Sequence, residues 1–229
     1  FGSFDGRFYA VEAGTGAEKW RFTAGDIIFS WPSPVIADDT LYFGSSDKNL
    51  YALDLRTGQE RWRFSTRGRV TAAPAAGGGL IYVGSHDHQL YALDLKTGEE
   101  VWRFETTGAV HTPPLLNDGT VYAGSNDGNL YALDAETGRE KWRSRVGEVE
   151  LHAVLAVSNS TVFIGSHDGF VYAIDAETAR EQWRFQTTKD LASSPAVADG
   201  KVYFGGADSA LNVVDAQTGQ TEWVFSPVP

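Results

Sequence analysis

Six tryptophans recur along this chain at near-constant spacing: Trp20, Trp62, Trp102, Trp142, Trp183 and Trp223. The intervals are 42, 40, 40, 41 and 40 residues, and only Trp31 stands outside the series. A fixed period of about 40 residues marks a repeat architecture, in which each unit hides its apolar face only against its neighbours. The text before each indole also recurs, as in Tyr91-Ala92-Leu93-Asp94-Leu95-Lys96-Thr97-Gly98-Glu99-Glu100-Val101-Trp102. Upstream lies a Gly-Ser-x-Asp turn such as Gly84-Ser85-His86-Asp87, and the turn aspartates are Asp5, Asp47, Asp87, Asp127, Asp168 and Asp208.

One unit reads as four short strands, because β-branched and aromatic runs alternate with turn residues. In the third full unit a strand from Val110 to Leu116 meets the hairpin turn Asn117-Asp118-Gly119. Thr120 to Gly124 follows, then a turn from Ser125 to Asn129, a strand from Leu130 to Asp134, the turn Glu136-Thr137-Gly138 and an outer strand from Arg139 to Ser144. No apolar run keeps a 3.6-residue period long enough for a helix. Full antiparallel meanders favour an all-β propeller over an open solenoid, whose rungs are shorter and parallel. The expected fold is therefore a β-propeller of four-stranded antiparallel blades.

Six outer strands carry the indole, but only five inner strands are present, beginning near Ile28, Val70, Val110, Leu151 and Leu191. The units fall at about 1–25, 26–66, 67–106, 107–146, 147–187 and 188–229 of a single domain, 1–229. Either six blades close with the first incomplete, which is the favoured count, or the chain is part of a larger ring. The opening Phe1-Gly2-Ser3 reads as the tail of a strand, so residues upstream of it are expected.

Composition removes several function classes. Nineteen basic against thirty acidic residues give a formal charge of −11, a repulsive field for phosphate, so nucleic acid is not an expected partner. The absence of cysteine excludes a thiolate nucleophile, a cysteine-ligated metal and a disulfide framework. No stretch approaches the ~18 consecutive apolar residues of a spanning helix, so no membrane insertion by this segment is expected.

Here the repeat becomes specific. In Ala52-x-Asp54-x-x-Thr57-Gly58-x-Glu60-x-Trp62 the named positions are filled again in Ala92 to Trp102 and in Ala132 to Trp142. This text resembles the tryptophan-docking motif of the pyrroloquinoline-quinone-type propellers, the superfamily of quinoprotein alcohol dehydrogenases and of the propeller lipoprotein of bacterial outer-membrane assembly. The resemblance covers essentially the whole chain. It implies that Trp20, Trp62, Trp102, Trp142, Trp183 and Trp223 are structural, each indole stacked between neighbouring blades. Departures are Glu12, Ala179, Val213 and Thr221 at the Asp, Gly, Ala and Glu positions of their copies. Catalytic members hold the quinone with calcium and an adjacent cysteine pair. This chain has no cysteine, and no local motif maps Asp26, Glu150 or Asp190 onto their calcium ligands or base, so no catalytic residue is assigned. No cofactor is expected, with quinone plus calcium the alternative. The resemblance is nearest in style to the non-catalytic members and implies a periplasmic or secreted location.

Positions that vary between units are the candidates for function, since repeated architecture does not demand the variation. Beside the turn aspartate stand Phe4, Ser46, His86, Asn126, His167 and Ala207. Ser85-His86-Asp87 and Ser166-His167-Asp168 invite a triad reading, but three consecutive turn residues diverge and cannot chain nucleophile to base to acid. Asp127-Gly128-Asn129 lacks the remaining spacing of a calcium loop. A second varying set precedes the inner strands: Trp31, Thr71, His111, Leu151 and Ala192, each followed by Pro32, Ala72, Thr112, His152 or Ser193. The connections leading in carry Asp26, Arg67, Arg69, Glu148, Glu150, Lys189 and Asp190. In a propeller these loops surround one mouth of the channel, on the face of the Ser-x-Asp turns. Trp31, Arg69, His111, Glu150, His152, Lys189 and Asp190 are thus the expected site for a protein partner or a small ligand. The resulting expectation is a non-catalytic interaction scaffold. The alternatives are an enzyme using His111 or His152 at the mouth, or a quinone-dependent dehydrogenase.

Overall fold

A computed structural model describes residues 1–29, 34–147, 155–187, 194–206 and 209–226. The first unit contributes β1 (Arg7–Val11) and β2 (Glu18–Thr23). The second has β3 (Val35–Ala37), β4 (Thr40–Gly44), β5 (Asn49–Asp54) and β6 (Glu60–Ser65), and the third β7 (Ala75–Gly77), β8 (Leu80–Gly84), β9 (Gln89–Asp94) and β10 (Glu100–Glu105). Next come β11 (Leu115–Asn117), β12 (Thr120–Gly124), β13 (Asn129–Asp134) and β14 (Glu140–Arg145), then β15 (Ala156–Ser158), β16 (Thr161–Gly165), β17 (Phe170–Asp175) and β18 (Glu181–Gln186). The sixth unit has β19 (Ala196–Ala198), β20 (Lys201–Gly205), β21 (Leu211–Asp215) and β22 (Thr221–Phe225). Each unit is its own antiparallel sheet in chain order, four-stranded in units two to six and two-stranded in the first. Gly2 forms an isolated antiparallel bridge with Phe8, outside the named strands.

The inner strands are shorter than the sequence suggests. Where a strand from Val110 to Leu116 is expected, pairing begins only at Leu115. Pro113 and Pro114 have no N–H to give a ladder. Thr112 replaces it with its side chain: Oγ1 donates to the Gly124 carbonyl at 2.9 Å and accepts the Gly124 N–H at 3.1 Å. The outer strand of this unit runs one residue later than expected, because the register slips between Ala132 and Leu133.

The core lies between the sheets. Five apolar clusters join consecutive units, for example Tyr82, Leu90 and Trp102 of the third with Val121, Tyr131 and Leu133 of the fourth. The other four join the first to the second, the second to the third, the fourth to the fifth and the fifth to the sixth. Repeat arrays stack in this way because one thin sheet cannot bury its own apolar face.

The docking tryptophans close these joints. Trp102 is 8% exposed and its indole N–H donates to the Ala135 carbonyl of the next unit at 3.0 Å. Trp20, Trp142 and Trp183 reach Leu55, Ala176 and Ala216 in the same manner at 3.2, 2.8 and 3.1 Å. The ring lies over the Thr-Gly turn of that unit: a Cβ on Gly58, Gly98, Gly138 or Gly219 would stand 2.5–2.6 Å from Trp20, Trp62, Trp102 or Trp183. Those glycines also sit at φ 70–74°, where a side chain is strained, so both contact and backbone select glycine. Trp223 departs from the expectation. It is 45% exposed, and Gly16, its counterpart seat in the first unit, meets nothing within 4 Å. An indole staples only where another unit's turn lies beneath it, and no described glycine seat lies against Trp223.

Candidate interaction site at the channel mouth

The Ser-x-Asp turns and the connections between units share one face because the backbone ties them together. The amide N–H of Ser46, His86 and Asn126 donates to the carbonyls of Ile27, Arg69 and Ala109 on the incoming connection, each at 2.9 Å. The turn aspartates add a second tie. Asp127 accepts the Asn129 N–H at 3.0 Å, the Tyr131 hydroxyl at 2.7 Å and the Thr107 N–H at 3.1 Å, the last from the start of the connection that leads in from the preceding outer strand. Asp87 accepts the Arg67 N–H at 2.8 Å and Asp47 the Gly25 N–H at 2.7 Å. These carboxylates are structural latches between units. Burial pushes the partner phenols up, with the adjacent carboxylate reinforcing it: Tyr51 and Tyr131 rise to about 12, and Tyr91 and Tyr172 are raised for the same reasons.

The Ser-His-Asp runs are turns as well. Ser85 and Ser166 are fully buried, and each Oγ accepts the N–H of its own Asp87 or Asp168, at 3.2 and 3.4 Å. A nucleophile so enclosed cannot meet a substrate.

On this latched base the two varying sets meet. Thr71 Oγ1 lies 2.9 Å from His86 Nε2, and His111 Nε2 lies 2.6 Å from Asn126 Oδ1. Both pairs span 15 residues, so in each a lead-in residue pairs with the middle residue of its own unit's Ser-x-Asp turn. The first unit's turn residue Phe4 packs edge-on against Phe29 at 5.5 Å. The rings of His86 and His111 are 5.4 Å apart, which joins the two polar pairs into one row: Thr71, His86, His111, Asn126. Arg69 stands beside it, its side chain exposed and its carbonyl held by His86. Of the expected site residues, Arg69 and His111 lie among the described residues, and each meets His86, Arg69 through its carbonyl and His111 through its ring. Trp31, Glu150, His152, Lys189 and Asp190 lie outside the described residues. Thr71, His86 and Asn126 complete the row; their constant 15-residue offset in sequence was the signal that could have paired them.

A hollow of about 240 Å³ lined by Arg67, Asp87 and Tyr91 adjoins the Asp87 latch. A cavity of about 10 Å³ lined by Phe29, Pro34, Thr71 and Pro74 has room for about one water. Larger hollows lie elsewhere, one of about 430 Å³ between the fifth and sixth units lined by Phe163, Gln182 and Asp215.

The family profile described as outer membrane protein assembly factor BamB matches residues 4–124, 51–153 and 142–228. The chain belongs to this family of quinone-type repeat propellers. Among solved structures it is similar to BamB from Moraxella catarrhalis, with a TM-score of 0.84, 22% identity, and coverage of 99% of this chain and 72% of that one. It is similar also to the computationally designed Ika8 protein, with a TM-score of 0.87, 22% identity, and coverage of 98% and 70%. At that identity the likeness concerns the fold. No curated protein sequence matches the chain.

Proposed function

We propose that this chain is a non-catalytic scaffold that binds a protein partner through the mouth loops carrying Trp31, Arg69, His111, Glu150, His152, Lys189 and Asp190. The observation that carries the reading is the row from Thr71 to Asn126. Chemically varied side chains are placed side by side on a base whose repeated residues are committed to holding the units together. Such a surface presents specific contacts without a deep pocket, which suits a protein surface better than a small ligand. Exposed arginine is a residue type that anchors interfaces.

The family description supplies the setting. A member of a family described by outer-membrane protein assembly fits a periplasmic, envelope-associated role, and among the described residues no helix is long and apolar enough to cross a membrane. The quinone alternative has no support in the residues described. There is no cysteine, and Asp26 is exposed with its carboxylate accepting the Ile27 N–H at 2.7 Å.

The test is binding of purified bacterial outer-membrane assembly complex to the immobilised chain. Binding is expected, and Arg69→Glu combined with Lys189→Glu should weaken it at least tenfold while circular dichroism stays unchanged. Binding that is indifferent to both mouth substitutions would sink the proposal, as would no binding at all.

A further inference from the structure

The seam between the fifth and sixth units departs from its counterparts at one buried position. Tyr42, Tyr82, Tyr122 and Phe163 share a register, each opposite the alanine of the following strand: Ala52, Ala92, Ala132 and Ala173. The phenols of Tyr42 and Tyr82 cross to the next unit and donate to the Leu95 and Ala135 carbonyls at 2.9 and 3.1 Å. The Ala135 carbonyl thereby receives two donors, that hydroxyl and the Trp102 indole N–H at 3.0 Å. Tyr122 stands in the same place in the fourth unit, where the Trp142 indole alone reaches the Ala176 carbonyl. In the fifth unit phenylalanine brings no hydroxyl at all, and among the described residues the Ala216 side-chain donor is the Trp183 indole, at 3.1 Å. A carbonyl oxygen has two lone pairs, so one on Ala216 stays open.

Phe163 and Ala216 both line the hollow of about 430 Å³ between these two units, a size within the range of small-molecule sites, about 300–1,000 Å³. It lies at the end of the sheets away from the mouth. Strand β16 starts beside it at Thr161 and ends at Gly165, ahead of the Ser166-x-Asp168 turn, about 13 Å further on at ~3.3 Å per residue. The rest of the lining is polar and includes Asn159, Gln182, Asp215 and Gln217. Gln182 is fixed in place: its Oε1 accepts the Thr161 hydroxyl at 3.1 Å and its Nε2 donates to Asp175 at 3.2 Å. Asp215 Oδ1 accepts the Thr218 hydroxyl and N–H, each at 2.8 Å, and the Gln217 N–H at 3.1 Å, which holds its carboxyl below the usual aspartate value. Its Oδ2 has no donor among the described residues.

We propose that this hollow binds a neutral saccharide of disaccharide size, one hydroxyl of which donates to the Ala216 carbonyl where the sister joints use a phenol. No basic side chain lines the hollow, so an anion would find no counter-charge. An ammonium ion only donates, and would leave the amide N–H groups of Asn159, Gln182 and Gln217 unmet. A hydroxyl both donates and accepts, which matches amides and a carboxylate together. The site is separate from the mouth, and the partner reading can fail without touching it.

Isothermal titration calorimetry of the chain with maltose, cellobiose and N,N′-diacetylchitobiose tests this, with spermidine as the cationic and N-acetylneuraminic acid as the anionic comparison. One-to-one binding of at least one disaccharide, millimolar or tighter, is expected, with neither ion competing. Phe163→Tyr installs the hydroxyl of the sister joints and should weaken that binding about tenfold by bonding the Ala216 carbonyl itself. Gln217→Ala, on the exposed wall, should weaken it severalfold with the melting temperature unchanged. No binding of any of the three disaccharides overturns the proposal, as does spermidine binding more tightly than all of them, or an affinity indifferent to both substitutions.

Discussion

The fifth unit contains a natural experiment on the docking seat. Ala179 occupies, at φ 62°, the position that glycine fills at φ 70–74° in the second, third, fourth and sixth units. A Cβ in this left-handed region costs about 1–2 kcal/mol, whereas glycine at the same place costs about 0.5–1 kcal/mol through the greater freedom of the unfolded chain. Ala179→Gly should therefore stabilise the protein by about 0.5–1 kcal/mol. The reverse change, Gly138→Ala, adds a steric term. Its Cβ would stand 2.6 Å from Trp102, and the indole cannot retreat without stretching its 3.0 Å bond to the Ala135 carbonyl. Overpacking of that kind adds about 1–3 kcal/mol, giving a total near 2–4 kcal/mol and a fall in melting temperature of roughly 4–16 °C for a chain of this size. Thermal and urea unfolding followed by far-UV circular dichroism reads both variants, with the urea slope checking that cooperativity is kept. A neutral Gly138→Ala, or an Ala179→Gly that destabilises, refutes the account of the seat.

Other outcomes follow from the same geometry. Trp102→Ala should cost about 3–5 kcal/mol and Trp223→Ala well under about 1 kcal/mol in urea titrations, since the first empties a closed joint and the second trims an exposed ring. Tyr51, Tyr91, Tyr131 and Tyr172 are held neutral by burial and by a neighbouring carboxylate. Their folded values lie above the ordinary 10, so the stability they contribute is complete below pH 10 and declines as pH rises toward 12; absorbance titration at 295 nm should show these four ionising only beyond the range seen in urea. Asp94, Asp134, Asp175 and Asp215 accept hydrogen bonds from the following Thr, and Asp54 adds an Arg61 contact, so all five lie below the usual aspartate value. Stability is expected to hold above pH 4 and to be lost progressively below it, and Asp134→Asn should flatten that acid limb in pH-dependent melts.

The repeat was legible because its spacing, turn chemistry and strand pattern agree unit after unit, and residues such as Trp102 and Gly138 owe their identity to one contact. Inner-strand limits were less legible: the prolines at 113 and 114 are visible, but the Thr112 side chain standing in for a ladder bond depends on where Gly124 comes to lie. The unstapled Trp223 could not be told from its five counterparts by its own motif position, because what an indole rests on belongs to another unit. At the mouth, His111 and Arg69 stood out by chemistry, yet the pairing of Thr71 with His86 and of His111 with Asn126 emerges only when two loops are folded onto one another.

The uniformity of the joints also bears on how such a chain can change over generations. The surface that the third unit turns toward the fourth is the one that the fourth turns toward the fifth. Excising residues 107–146 would therefore bring Trp102 onto the turn at Ala179 with most neighbouring contacts matched, the differences being Phe104 in place of Ser144 and Ala179 in place of Gly138. Gain or loss of a whole module is thus a small mutational step, while a shift of even a few residues within one is a large step.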